Sequence, residues 1–222
     1  MDVRKKIAVV SANLGSFDKP LKHASQHSEK YEVSTFLWTD ENFPPRSNAM
    51  TPRLQARIPK MTSWQMLPDY DYYLWVDSSC HLAREDSVDW FMDQIGDKDF
   101  AFFRHNKRNT VGEEAEYLKQ RLSIDCPYVT PRYAGERLDD QMEVVDPNEP
   151  LFATTAFIYK NDTPARDALT IWWLHTSLYH SIDQLSIMTA IRNAGATYNV
   201  IDEDYLKCEY IEYTRPGSRN KK

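Results

Sequence analysis

Cysteine is scarce. The 222-residue chain holds three, Cys80, Cys126 and Cys208, widely spaced and odd in number. They make neither a disulfide framework nor a Cys-x-x-Cys metal knuckle, and such usage suits a reducing, cytoplasmic compartment. There is no Walker A sequence and no Gly-x-Gly-x-x-Gly, which removes the P-loop and ordinary Rossmann cofactor readings. A Gly-x-Ser-x-Gly elbow and a His-Glu-x-x-His helix are missing as well. Basic charge is not in excess: 27 basic residues face 33 acidic ones, for a net charge of −6. A partner read through non-specific nucleic-acid contacts needs a basic face, so that class falls. No window approaches the roughly 20 apolar residues of a membrane span. Ile7 to Val10, after Arg4-Lys5-Lys6, is too short for the apolar core of a signal peptide.

Enough apolar surface is present to form a real core, with 41% hydrophobic and 13% aromatic residues, so disorder is not the default. The chain length fits one large α/β domain or two very small ones. Strand signals recur over Lys5–Ala12, Tyr31–Trp38, the run ending at Val76, Asp99–Phe103, Leu151–Tyr159 and Thr197–Ile201. Between them, helical periodicity predicts segments over Leu21–Lys30, Arg53–Leu67 (broken or begun at Pro59), Glu85–Ile95, Glu113–Ile124 and Thr163–His180. Gly135–Val144 is a polar candidate helix. A last helix follows Asp183 and stops at Gly195, and Asp86 is placed as a cap of its own helix. Asn42–Thr51 and Pro127–Arg132 read as loops. Alternating strands and helices predict a three-layer α/β/α domain with a central, mostly parallel sheet.

The most informative stretch is Tyr70-Asp71-Tyr72-Tyr73-Leu74-Trp75-Val76-Asp77-Ser78-Ser79. An apolar strand ends abruptly on a carboxylate and two hydroxyls. In open α/β sheets ligands bind beyond the carboxyl ends of the strands, and a carboxylate there is costly unless it is paired or metal-bound. Asn13, Leu14 and Gly15 close the first strand and Thr39-Asp40 the second, so their loops open on the same edge as Asp77. Gly15 allows close backbone approach to a ligand, and Asp40 suits a base or ribose. Arg57 and Lys60 stand one helical turn apart and suit a diphosphate. Arg104 and His105 close another strand, where His105 is either a structural residue or a contact to metal or sugar; Lys107 and Arg108 follow. Asp183 is either an N-cap or a carboxylate that meets an acceptor hydroxyl as general base. Asp139 and Asp140 read as surface charge, with a base role as the alternative. The six tryptophans are mostly core.

At these residues the chain resembles the GT-A glycosyltransferases. Trp75-Val76-Asp77-Ser78-Ser79 is similar to their metal-binding Asp-x-Asp segment in a variant form, with Ser79 where the second acid stands. Thr39-Asp40 resembles the nucleotide-side element of that fold. Arg57-Ile58-Pro59-Lys60 and Ile182-Asp183-Gln184-Leu185 resemble recurring segments of such enzymes. The resemblance extends to about Glu212 and is strongest to N-terminal glycosyltransferase domains of multi-domain proteins that glycosylate the major capsid protein of chlorella-infecting viruses. It implies a transferase domain over residues 1–214, followed by a basic tail or linker start over 215–222, within a larger chain in the host cytoplasm. It implies a UDP-sugar donor, a glycan or glycoprotein acceptor, and Mn²⁺ or Mg²⁺ as cofactor; the sugar would be a hexose or a deoxyhexose such as L-rhamnose. On this reading Asp77 and Ser79 bind metal. Asn13, Gly15, Thr39, Asp40, Arg57, Lys60, Asp77 and Ser78 hold the donor, and Asp183, His105 and Arg57 form the catalytic set. The rival expectations are a non-catalytic carbohydrate- or sugar-nucleotide-binding domain, and a nucleotidyltransferase or phosphohydrolase built on Asp77.

Overall fold

Side-chain alternation along the strands decides the architecture. In the computed structural model, which describes residues 4–15, 22–47, 49–122 and 137–214, β1 (Lys5–Asn13) turns Ile7 and Val9 to one apolar cluster and Ala8, Val10 and Ala12 to another. β2 (Tyr31–Thr39) pairs with it in parallel. After α1 (Pro52–Met66), β3 (Tyr72–Val76) is buried at every position. Its Tyr73 and Trp75 join the cluster of Ala8, Val10 and Ala12, and Tyr72, Leu74 and Val76 join that of Ile7 and Val9. A strand covered on both faces reads as an uninterrupted apolar run, which is how Tyr72 to Val76 reads.

The chain continues through β4 (Cys80–Leu82), α2 (Ser87–Ile95), β5 (Phe100–Arg104), α3 (Val111–Leu122) and α4 (Leu138–Val144). It ends with β6 (Phe152–Lys160), α5 (Thr163–Leu178), a 3₁₀ turn (Asp183–Leu185), α6 (Ile187–Ala194), β7 (Tyr198–Ile201) and β8 (Ile211–Tyr213). Six strands form the central sheet in the order β2-β1-β3-β6-β5-β7, and β4 pairs with β8 in a small second sheet. Within the central sheet β6 runs antiparallel to β3 and β5 and the other pairings are parallel, while β4 and β8 pair antiparallel. Residues of α1, α5 and α6 cover one face, and α2 with β4 and β8 covers the other. The result is the expected three-layer α/β/α arrangement with a mostly parallel sheet.

The antiparallel insertion has a local irregularity. Along β5 the register steps by one residue from Phe102 to Phe103, while the partner on β6 jumps from Phe157 to Ala153. The surplus residues form a bulge that holds Thr154 and Thr155 at the end of β6 nearest the carboxyl end of β3, and bulges of this kind re-aim side chains. The Asp77 N–H donates to Thr155 O at 2.7 Å, tying the β3 exit to the bulge.

Three local expectations change. Residues 22–30 form no helix. Ala24 N–H donates to Leu82 O and His27 N–H to Glu85 O, and the Gln26 amide donates to Arg84 O, so this segment is held as irregular chain against the β4 exit. Its Ser and His residues have weak helix preference to oppose those bonds. Asp86 occupies the N-cap position of α2 without a capping bond; its carboxylate is taken by Arg84. Asp183 does not cap α6, whose N-cap is Ser186; it starts the 3₁₀ turn and is buried in ion pairs. The Pro127–Arg132 loop, Cys126 and the 215–222 tail lie outside the described residues, as does the start of the Gly135–Val144 segment.

Gly15 sits at φ +72°, and a Cβ added there would come 2.6 Å from Pro52 Cβ. Both the left-handed backbone and the close approach require glycine. Gly15→Ala is expected to cost about 2 kcal/mol, measurable as a lower urea midpoint at unchanged slope. A midpoint equal to that of the native chain would refute the contact.

Candidate active site

A cleft enclosing about 240 Å³ lies beyond the carboxyl ends of β1 and β3. Its walls come from Ala12, Asn13 and Leu14 at the β1 exit, from Pro52, Arg53, Ala56 and Arg57 on the first turns of α1, and from Trp75, Asp77, Ser78 and Ser79 at the β3 exit. Thr154 and Thr155 of the bulge, Ile182 to Gln184 at the 3₁₀ turn, and Tyr205 and Tyr213 complete it.

At its floor is a four-membered charge network. Lys60 Nζ lies 2.6 Å from Asp183 Oδ2 and 3.3 Å from Asp77 Oδ1. Arg57 Nε is 3.3 Å from Asp183 Oδ2, and its Nη1 is 3.9 Å from Asp77 Oδ1. The side chain of Lys60 is 1% exposed, that of Asp183 4%, Arg57 10% and Asp77 27%. Trp75 Nε1 donates to Asp77 Oδ1 at 2.7 Å, and Thr154 Oγ1 donates to Asp183 Oδ1 at 3.1 Å. Trp172 Nε1 donates to the Asp183 carbonyl at 2.7 Å. The Lys60 ammonium also lies 5.6 Å from the Trp75 ring centroid and 5.9 Å from those of Phe157 and Trp172, an arrangement that favours a cation.

Burial pushes the Lys60 ammonium below the usual lysine range, against the pull of Asp183 and Asp77. Burial pushes the Asp183 carboxyl up, but the charges of Arg57 and Lys60 outweigh it and hold the group at about 2. A carboxylate so acidic and so fully engaged is a weak base at neutral pH. What Asp183 can do is fix the position of Arg57 and Lys60.

Asn13, Arg57, Asp77, Ser78, Ser79 and Asp183 thus gather at one cleft, with Lys60 directly behind them. The other expected residues are not among its lining. Asp40 accepts from Gly15 N–H at 2.8 Å and pairs with Arg46, so it braces the turn after β1. Thr39 N–H donates to Asn42 Oδ1 at 2.7 Å and closes the β2 turn. His105 Nδ1 accepts from Arg108 N–H at 3.0 Å, and burial, with Arg108, lowers its pKa to about 4. Asp139 and Asp140 pair with Lys119 and Arg137 at the surface.

The sequence reading missed Arg53, Thr154, Thr155, Tyr205 and Tyr213. Arg53 was legible, because it precedes Arg57 by four residues on the same helix face. The Thr154-Thr155 interruption of an apolar strand was the sign of the bulge. The tyrosines depend on the β4–β8 pairing, which sets Cys80 opposite Tyr213 and has no local signal.

A divalent cation fits this donor set poorly. A Mg²⁺-type ion at a phosphate site needs at least one carboxylate able to turn an oxygen to it, with waters and substrate phosphates completing its shell. No group of three or more His, Cys, Asp or Glu able to hold a metal occurs among the described residues. Asp77 already faces two cations, and Ser79 is buried. Two like unit charges about 4 Å apart repel by about 4 kcal/mol at an effective dielectric of about 20, and a doubly charged ion doubles that.

The TOD1/MUCI70, glycosyltransferase-like domain family model matches residues 46–215. No curated protein matches the chain. Among solved structures, the chain is similar to a crystal structure of a glycosyltransferase involved in the glycosylation of the major capsid of PBCV-1. Identity is 11%, the match covers 88% of this chain and 82% of that one, and the TM-score is 0.45.

Proposed function

The chain belongs to the TOD1/MUCI70 glycosyltransferase-like family, and from that premise we propose that its cleft moves a glycosyl group from a nucleoside-diphosphate sugar to an acceptor hydroxyl. The observation that carries this reading is the pair of guanidinium groups, Arg53 and Arg57, on the cleft wall beside Asp77. In the transfer the acceptor oxygen bonds the anomeric carbon as the bond to the diphosphate breaks. The nucleoside diphosphate leaves with the electron pair, and the acceptor proton passes to solvent or to the departing phosphate. The main electrostatic demand is the charge gathering on that leaving group. Arg57 and Arg53 answer it; their planar donors suit phosphate oxygens. Asp77 and Asp183 hold Arg57 in place. Asn13 and Ser78 face the nucleoside, and Thr154, Thr155, Tyr205 and Tyr213 offer hydroxyls and ring faces to the sugar.

The donor is proposed to be UDP-linked, carrying a hexose or a deoxyhexose such as L-rhamnose, and the acceptor a glycan or glycoprotein. The test is calorimetric titration of UDP- and GDP-sugars. A UDP-sugar should bind, and Asp77→Ala should weaken it about tenfold or more by releasing Arg57. Native-like affinity in that variant would remove Asp77 from the site. Binding of a donor without release of nucleoside diphosphate to any acceptor would favour the non-catalytic binding domain.

A further inference from the structure

Both carboxylates of the cleft, Asp77 and Asp183, are engaged by Arg57 and Lys60, and a glycosyl transfer from a nucleotide sugar brings a diphosphate to them. We infer that fixed cations of α1 do the work of a metal here, so that the nucleoside diphosphate binds without a divalent ion. This inference rests on the transferase reading and goes beyond it.

Three observations carry it. The first is the spacing of the cations. Arg53, Arg57 and Lys60 fall on one face of α1 at intervals of four and three residues, and the two arginines line the cleft. The second is the charge balance. The charged residues lining the cleft, among those described, are Arg53, Arg57, Asp77 and Asp183, and Lys60 adds its ammonium from behind. Among the described residues three cations thus stand with two carboxylates, a set that suits a diphosphate better than a metal ion. The third is the engagement of the carboxylates. Asp183 takes Lys60 at 2.6 Å and Arg57 at 3.3 Å, and Asp77 Oδ1 takes Lys60 and the Trp75 indole. Both acids are therefore used to aim and hold cations.

The arrangement is also pre-set. Asp183 is locked by Thr154 and Trp172, and Lys60 sits among three aromatic rings. Charges fixed in advance need little reorganisation when an anion arrives, which is the condition under which they stabilise a leaving group most. The positive end of the α1 dipole adds to them, since Pro52 and Arg53 of its first turn stand on the cleft wall.

The experiment is titration of UDP, and in parallel of GDP, into the whole chain, once in excess EDTA and once in Mn²⁺, with Mn²⁺ alone titrated as a control. One nucleotide should bind with dissociation constants within about twofold in the two buffers, and Mn²⁺ alone should give no saturable binding. Arg53→Gln should weaken that nucleotide about tenfold in EDTA, with the far-UV spectrum unchanged. Binding that vanishes in EDTA and returns with Mn²⁺ would overturn the inference and leave the transferase reading standing. Failure of both nucleotides to bind in either buffer would overturn the two together. Arg53→Gln with native affinity would shift the role away from the α1 cations and also count against the inference.

Discussion

Lys60→Met should lower the melting temperature by about 10 °C or more. Methionine keeps the volume of the buried stem, but it leaves Asp183, whose side chain is 4% exposed, without its 2.6 Å partner. Removing one member of a buried pair typically costs about 3–5 kcal/mol. At this chain length each kcal/mol moves the midpoint by about 2–4 °C. The double variant Lys60→Met/Asp183→Asn should recover part of the loss, because no uncompensated charge then stays buried. The pH dependence has a definite sign. Asp183 titrates at about 2 when folded, against an ordinary value of 3.8. A group depressed in this way stabilises the fold above its unfolded pKa, and that stability is lost as the pH falls from about 4 towards 2. In Lys60→Met the acid limb should move to higher pH. Melting curves between pH 2 and 7 check both points; an unchanged limb would mean that Lys60 does not set the state of Asp183.

Arg57→Ala should reduce transfer, read as kcat/KM, by about 10²–10³-fold, the range seen when one positioned donor is removed from a developing negative charge. Arg57→Lys should recover only part, since an ammonium cannot reproduce the fork that bridges Asp183, Asp77 and a phosphate. Asp183→Asn acts only through Arg57 and Lys60, so it should lower kcat by less than Arg57→Ala does while leaving the fold measurable by circular dichroism. A loss in Arg57→Ala below about fivefold would take the guanidinium out of the reaction.

The strands of the main sheet were legible because each is a short apolar run closed by polar residues, and the β3 run pointed directly to Asp77. The helices followed from their 3.6-residue spacing, including α1 in spite of Pro59. What failed was set mainly by contacts distant in sequence. The 22–30 segment is set by backbone bonds to Leu82 and Glu85, about 58 residues away in both cases by their numbers. β4 and β8 are three residues each, too short to show an alternation, and each exists through the other. At the site, spacing put Arg57 and Lys60 together, but it could not tell a free carboxylate from one already neutralised. That difference is what separates a base from a support at Asp183, and a metal ligand from a cation clamp at Asp77, in the reading proposed above.

The antiparallel strand at the centre of the sheet has a consequence for how the chain is made. β3 is complete at Val76, but its neighbour β6 begins only at Phe152. β5 waits on the same strand. At typical synthesis rates of about 5–20 residues per second, the β3 edge stays open for about 4–15 s on the ribosome. During that time the edge of β3, a strand buried at every position once folded, stands unpaired, which makes it a site for misassociation. Nascent chains arrested just before Phe152 should therefore bind holdase chaperones more than chains arrested after Leu178.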